Sequence, residues 1–353
     1  MNKYLVLILF FLVHLSFLFY MYPVNIIESS TKGYWEPILV GFLMEALLIG
    51  VYLKGLSAFP RKDIIDIFTG KSGKWLARVL LTPFFIFLFV NFGTMHRVEF
   101  DSVNVVLLPK TPLLFILLLY LIPLYAAWKG LQSIARGAVL LFVFGVPLIL
   151  FSLMSSIKNF DFHQVFPLLD TQMAFFSKPE FYSALLAHTG FLFLGMIGLN
   201  KNASMRYLIP ILIVIFIFGL AAVYVPLLIF GPESIIYLRY PVVLTSDTVD
   251  MEWVIFDWLP TFFVISTIAI SMVEAAISLW MMTTLMHKLA FPAKRGWSVI
   301  IVGAALYVFS AMIPNTDWLD QLTTWNSVFG LYSIVVIPIT VLLMSLKDRR
   351  DSA

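Results

Sequence analysis

Apolar residues run through this chain in long blocks, without the short helical or strand alternation of a soluble fold. Apolar length and the positions of breakers mark ten blocks, at roughly 4–27, 36–58, 75–106, 112–129, 133–156, 180–199, 206–231, 253–287, 297–313 and 325–346. A helix needs only about 20 apolar residues to cross a bilayer core, and linkers carrying Gly, Pro or charge separate the blocks. The pattern predicts an all-α integral membrane protein of about ten transmembrane helices, with 1–353 as a single permease-like domain. The third block holds His96, Arg97, Glu99 and Asp101 inside its apolar run. Charges at membrane depth are costly and normally face a bundle interior or a cavity. The other helices are therefore expected to wrap this one.

Composition agrees with the pattern. The chain has 353 residues, 61% hydrophobic and 12% charged, against about a quarter charged in soluble domains. The N-terminal run reaches Ile27; that exceeds a signal core of about 7–15 residues, so it predicts the first membrane helix. Cysteine is absent, and the histidines at 14, 96, 163, 188 and 287 show no metal-ligand spacing, so no metal or cofactor is expected. The loops leave no room for a soluble catalytic domain. An enzyme is not expected, nor is a nucleic-acid partner.

The net charge of +3 matters less than where the charges lie. With both tails and every even-numbered loop on the cytoplasmic side, that side receives 17 of the 23 basic residues, among them Lys3, Arg61, Lys62, Lys129, Lys201, Lys294 and Lys347. The outer side keeps Lys32, Lys110, Lys158, Lys178 and Arg239. The positive-inside rule thus predicts both termini in the cytoplasm of a multi-pass cell-membrane protein.

Ten spans divide into repeats of about 4–156 and 180–346. Five helices per repeat force the second copy to insert upside down, the inverted-repeat plan of many transporters. The third and eighth spans are both over-long and carry acids: Glu99 in one, Asp257 and Glu274 in the other. The equivalent first and sixth spans have polar interruptions, His14-Leu15-Ser16 and His188-Thr189-Gly190, which predict discontinuous helices able to meet a small ligand at half depth. Candidate ligand contacts are therefore His14, Ser16, His188, Thr189, Gly190 and Glu274.

Glu45, Arg97, Glu99 and Asp101 form a candidate buried charge network. Arg97 and Asp101 are four apart and share a helix face, with Glu45 as the alternative partner of Arg97, while Glu99 points elsewhere. The structural reading is an internal ion pair that fixes helix register; the functional one is ligand or proton binding. The loop AFPRKDIIDIFTGKSGKW carries Ile64, Ile65, Ile67 and Phe68 in a pattern that predicts a short amphipathic segment on the inner membrane surface. Its Gly70-Lys71-Ser72 fails as a phosphate loop, because Ile65 stands where the first glycine is required and no strand precedes it.

Several segments, in this order and spacing, resemble the membrane-embedded B subunits of spore germinant receptors, in the amino acid–polyamine–organocation transporter superfamily. They are Trp35; Phe59-Pro60 through Gly70-Lys71 and Gly73; Leu108-Pro109-Lys110-Thr111-Pro112; Gly130 with Arg136; Phe166-Pro167-Leu168; and Tyr240-Pro241. The chain departs from the family at Ser16, where glycine is usual, at Met196, where Glu is usual, and at Asp257-Trp258, where Glu-Arg is common. The resemblance implies two inverted five-helix repeats. It also implies a subunit in the spore inner membrane that senses a small nutrient such as an amino acid. Its implied partners are an A-type membrane subunit, a C-type lipoprotein subunit and membrane lipid. An ion-coupled amino acid transporter acting alone, and an assembly-only subunit without ligand binding, are the alternatives.

Overall fold

In the computed structural model, residues 2–198, 205–248, 258–290 and 295–351 are described. Asp257 lies outside them, as do Lys201 and Lys294. Among the described residues six helices are long and apolar enough to cross a membrane, or seven when one bent pair is counted as a span. The helices are α1 (Lys3–Phe17 and Met21–Ser29), α2 (Trp35–Leu56), α3 (Ile64–Val106), α4 (Leu113–Lys129) and α5 (Leu131–Ser155) in the first repeat. The second repeat has α6 (Pro179–Ala184, continued by a 3₁₀ stretch Leu185–Met196), α7 (Met205–Ile235), α8 (Leu259–Leu285), α9 (Arg295–Met312) and α10 (Thr316–Asp351). This is the all-helical ten-helix, inverted-repeat plan that the apolar blocks predict.

The two helices that the polar interruptions pick out are among the irregular ones, with the irregularity differently placed. In α1 the chain bends by 58° after Phe17, past His14 and Ser16, which both lie inside the first helical half. In α6 the segment holding His188, Thr189 and Gly190 stays helical but tightens into twelve residues of 3₁₀ geometry. Runs of that kind seldom exceed 3–4 residues and often mark hinges.

Two expectations change. The third helix is not the one the bundle encloses most: 78% of the apolar window of α8 is buried, against 44% for α3. The reason is contact on many sides, because α8 packs against α1, α3, α4, α5 and α9. Nor do Ile64, Ile65, Ile67 and Phe68 lie on a membrane surface. All four are buried in the protein core, on the first turns of α3 ahead of its kink at Gly73, whose φ of 82° favours glycine.

Polar ties join the helices where their apolar faces meet. Asn326 Nδ2 of α10 donates to the Phe87 carbonyl of α3 (3.2 Å), and Tyr120 of α4 shares a 2.9 Å hydrogen bond with Ser310 of α9. Outside the bundle, the 158–178 segment caps the start of α2. Trp35 Nε1 donates to the Leu168 carbonyl (2.8 Å), so two of the family-like motifs meet here. The Ala174 amide, followed by that of Gln172, holds the Asp170 carboxyl of this cap below the usual carboxylate range. At the opposite, basic end, Lys288 is held by Asp63 and, at 2.8 Å, by Asp66.

Candidate functional site

Glu45 sits at the point where α1, α2 and α6 meet, fully buried between two histidines. His188 Nδ1 of α6 lies 2.7 Å from Glu45 Oε2 in a hydrogen bond. His14 Nε2 of α1 lies 2.7 Å from Glu45 Oε1, an ionic contact out of line for a hydrogen bond. The other nitrogen of His14, Nδ1, donates to the Phe10 carbonyl at 2.6 Å. Each imidazole rests on a glycine of a neighbouring helix. A Cβ at Gly190 would lie 2.9 Å from His14 Nε2, and one at Gly41 would lie 2.6 Å from His188 Nε2. Gly41 and Glu45 are four apart, so one face of α2 supplies both the seat and the carboxylate. Phe10 and Phe42 wall the rings, at centroid distances of 4.2 and 4.6 Å.

The third and eighth helices build a second group with the inverse make-up. His96 of α3 places Nδ1 2.7 Å from Glu99 Oε2 and Nε2 3.1 Å from Glu274 Oε2 of α8. Ser278 donates to the other Glu274 oxygen. One imidazole therefore bridges two buried carboxylates, against two imidazoles on one carboxylate in the first group. With His96 charged and both carboxylates ionised, the second group carries one net negative charge, and one added proton neutralises it.

The sequence-predicted residues thus distribute over three places. His14 and His188 come together on Glu45; Gly190 forms the seat of His14. Glu274 stands apart, with His96 and Glu99. Ser16 and Thr189 donate to the Val13 and Leu186 carbonyls of their own helices. Arg97 pairs with Asp101 on the same helix face, and Glu45 takes histidines instead of Arg97. The four residues of the expected charge network are therefore three separate groups, because the aromatic and imidazole side chains between helices supply closer partners than the guanidinium.

Two further cavities open beside the α1 bend. The inner one, about 20 Å³, is lined by Tyr22 and Asn25 of α1, Asn91 and Thr94 of α3, Ser183 and Ala187 of α6, and Thr323 of α10. It has room for water, and its polar lining is entirely uncharged. The outer one, about 100 Å³, is lined by Tyr20, Glu28, Glu180, Arg239 and Asp320. Met21, Asn25 and Thr323 border both, so the outer cavity, a vestibule, adjoins the inner one. Arg239 and Asp320 are paired across it at 2.9 Å.

The profile of a family described as spore germination protein matches residues 1–317. The chain belongs to the spore germination protein family. No curated protein sequence matches it. Among solved structures it is similar to a crystal structure of MhsT in complex with L-phenylalanine, with a TM-score of 0.61 and 14% identity over 96% of this chain and 97% of that one. At that identity the likeness concerns the fold, and it supports the transporter-type architecture of two five-helix repeats.

Within the family match, Phe59 and Pro60 lie in the turn before α3 and Lys71 and Gly73 in its first part, with the Lys71 ammonium 6.0 Å from the centre of the Phe59 ring. Lys71 also pairs with Asp348 of α10, beyond the matched stretch. Sequence reasoning did not single out the cavity residues Asn25, Asn91, Thr94 and Thr323. The available signal was amide side chains inside apolar blocks, since an Asn such as Asn91 at membrane depth needs a partner or a cavity.

Proposed function

We propose that this spore germination family member is the nutrient-sensing subunit of a germinant receptor, and that a small polar nutrient such as an amino acid enters by the outer vestibule. The observation that carries this reading is that the vestibule adjoins a small cavity at the α1 bend, between α1, α3, α6 and α10, whose polar lining is uncharged. Asn25, Asn91, Thr94 and Thr323 present amides and hydroxyls able to hydrogen-bond a zwitterion or another polar solute. The inner cavity is smaller than an amino acid, so admission requires α1 and α6 to move apart, and a ligand that binds the widened state shifts the population toward it. The amino acid bound in the structurally similar MhsT makes that ligand class the first to test. Both termini on the cytoplasmic side, a place in the spore inner membrane, and assembly with A-type and C-type subunits belong to the same proposal.

A transporter acting alone is the second reading, favoured by the full-length likeness to MhsT and by the two buried titratable groups. Deleting the gene separates the two. Under the sensing reading, spores lose the response to one nutrient while growth on it is unchanged, and purified protein in liposomes shows no sustained accumulation of that nutrient. Proton- or sodium-driven accumulation by this chain alone would instead establish a transporter. Normal responses to every nutrient would leave an assembly role.

A further inference from the structure

The number of protons held by His14, Glu45 and His188 follows from their geometry and their burial. A carbonyl only accepts, so the His14 nitrogen facing Phe10 carries hydrogen. The opposite nitrogen lies 2.7 Å from Glu45 Oε1. That contact is out of line for a hydrogen bond, so it holds the helices as a contact of charges, and a buried carboxylate against an imidazole edge calls for the proton that makes the imidazole its counter-charge. The 2.7 Å contact between Glu45 Oε2 and His188 Nδ1 requires another. The closed group therefore holds three protons. Two neutral imidazoles and a free carboxylate hold two.

The third proton makes the closed group electrically neutral. Without it a net negative charge would be sealed where Glu45 is 0% exposed, which is strongly unfavourable for an unpaired buried charge. Among the described residues no neighbouring charge substitutes for it. Tyr22 is the titratable side chain that packs on the group, its ring edge-on to His188 at 6.0 Å. In sequence, α7 has no titratable side chain between Tyr207 and Tyr224, and α5 has only Arg136, near its basic end. On α10 only Tyr332 lies between Asp320 and Lys347, and its hydroxyl donates to the Leu80 carbonyl. Tyr20 of α1 is hydrogen-bonded to Thr267 of α8, and Glu274 of α8 is engaged by His96. On α3, Glu99 is held by His96 and Arg97 by Asp101.

The geometry points to a proton-binding latch, in which His14, Glu45 and His188 hold α1, α2 and α6 together while they share a third proton and release it to water when those helices part. This goes beyond the sensing reading and does not depend on it, because the step concerns opening with or without nutrient. The closed state binds one proton more than the parted state in neutral to alkaline solution. Rising pH therefore favours parting, by up to tenfold per pH unit for one proton.

The absence of cysteine makes the test direct. The full chain, in nanodiscs that leave both faces accessible, carries either Ala187→Cys on the buried stretch of α6 or Ser177→Cys on the exposed segment before it. Labelling by a charged thiol reagent is followed from about pH 7 to about pH 9, and the ratio of the two rates cancels the ionisation of the thiol. The expected ratio rises with pH, by up to tenfold per unit. With Glu45→Gln added, it becomes flat. A glutamine amide is uncharged and can accept from His188 Nδ1 with both imidazoles neutral, so closing needs no extra proton. A flat ratio with Glu45 in place overturns the proposal, whether or not the Glu45→Gln chain accumulates. An equal slope with Glu45→Gln also overturns it, by assigning the proton to another group.

Discussion

Glu45→Ala is expected to cost about 3–5 kcal/mol of stability, the typical loss when one member of a buried ionic contact is removed. The carboxylate is fully enclosed and both of its oxygens are engaged, so its removal leaves two imidazole nitrogens facing a void. It also removes a side chain of α2 that joins α1 to α6. Glu45→Gln restores the His188 contact through its amide and is expected to recover most of the loss. Thermal unfolding of the detergent-solubilised protein, read by the fraction that stays monodisperse, checks both variants. A Glu45→Ala protein within about 1 kcal/mol of the parent would mean that the contacts contribute no more than ordinary surface pairs do.

Gly190→Ala is expected to be destabilising by about 1–3 kcal/mol, the usual range for a methyl group forced into a packed interior. In an unobstructed helix the same change would be favourable by about 1 kcal/mol. Distance decides the sign. The new Cβ would lie 2.9 Å from both Cε1 and Nε2 of His14, and that ring is anchored at its far side by the Phe10 carbonyl. The ring cannot retreat without losing Glu45 or Phe10. A double-mutant cycle gives the check: with His14→Ala already present, Gly190→Ala should become neutral or stabilising. A penalty that persists without the imidazole would place the clash elsewhere.

How far the sequence carried differs between fold and site. Apolar block length specifies a membrane helix almost by itself, because backbone groups in lipid must be satisfied within the helix. Hence the ten segments, and the irregularity of α1 and α6, were legible in advance. His14 and His188 were also legible as a pair, since they occupy equivalent helices of the two repeats. Their shared partner was not. Glu45 becomes the meeting point only through the crossing of three helices, which no spacing within α2 encodes. The same holds for Glu274, which lies at a similar depth to the histidines yet faces α3. Ile64 and Phe68 were misread because amphipathic spacing fits a membrane surface and a protein groove equally well.

The most direct measurement of the sensing site is the nutrient dose–response of spores carrying Asn91→Leu. This substitution keeps the branching and the number of side-chain heavy atoms while removing the amide of a residue that lines the inner cavity. A polar ligand group left without its partner costs about 1–3 kcal/mol, so the half-maximal concentration should rise about 5- to 150-fold, with protein abundance unchanged. An unchanged dose–response at normal abundance would contradict ligand binding at the α1 bend.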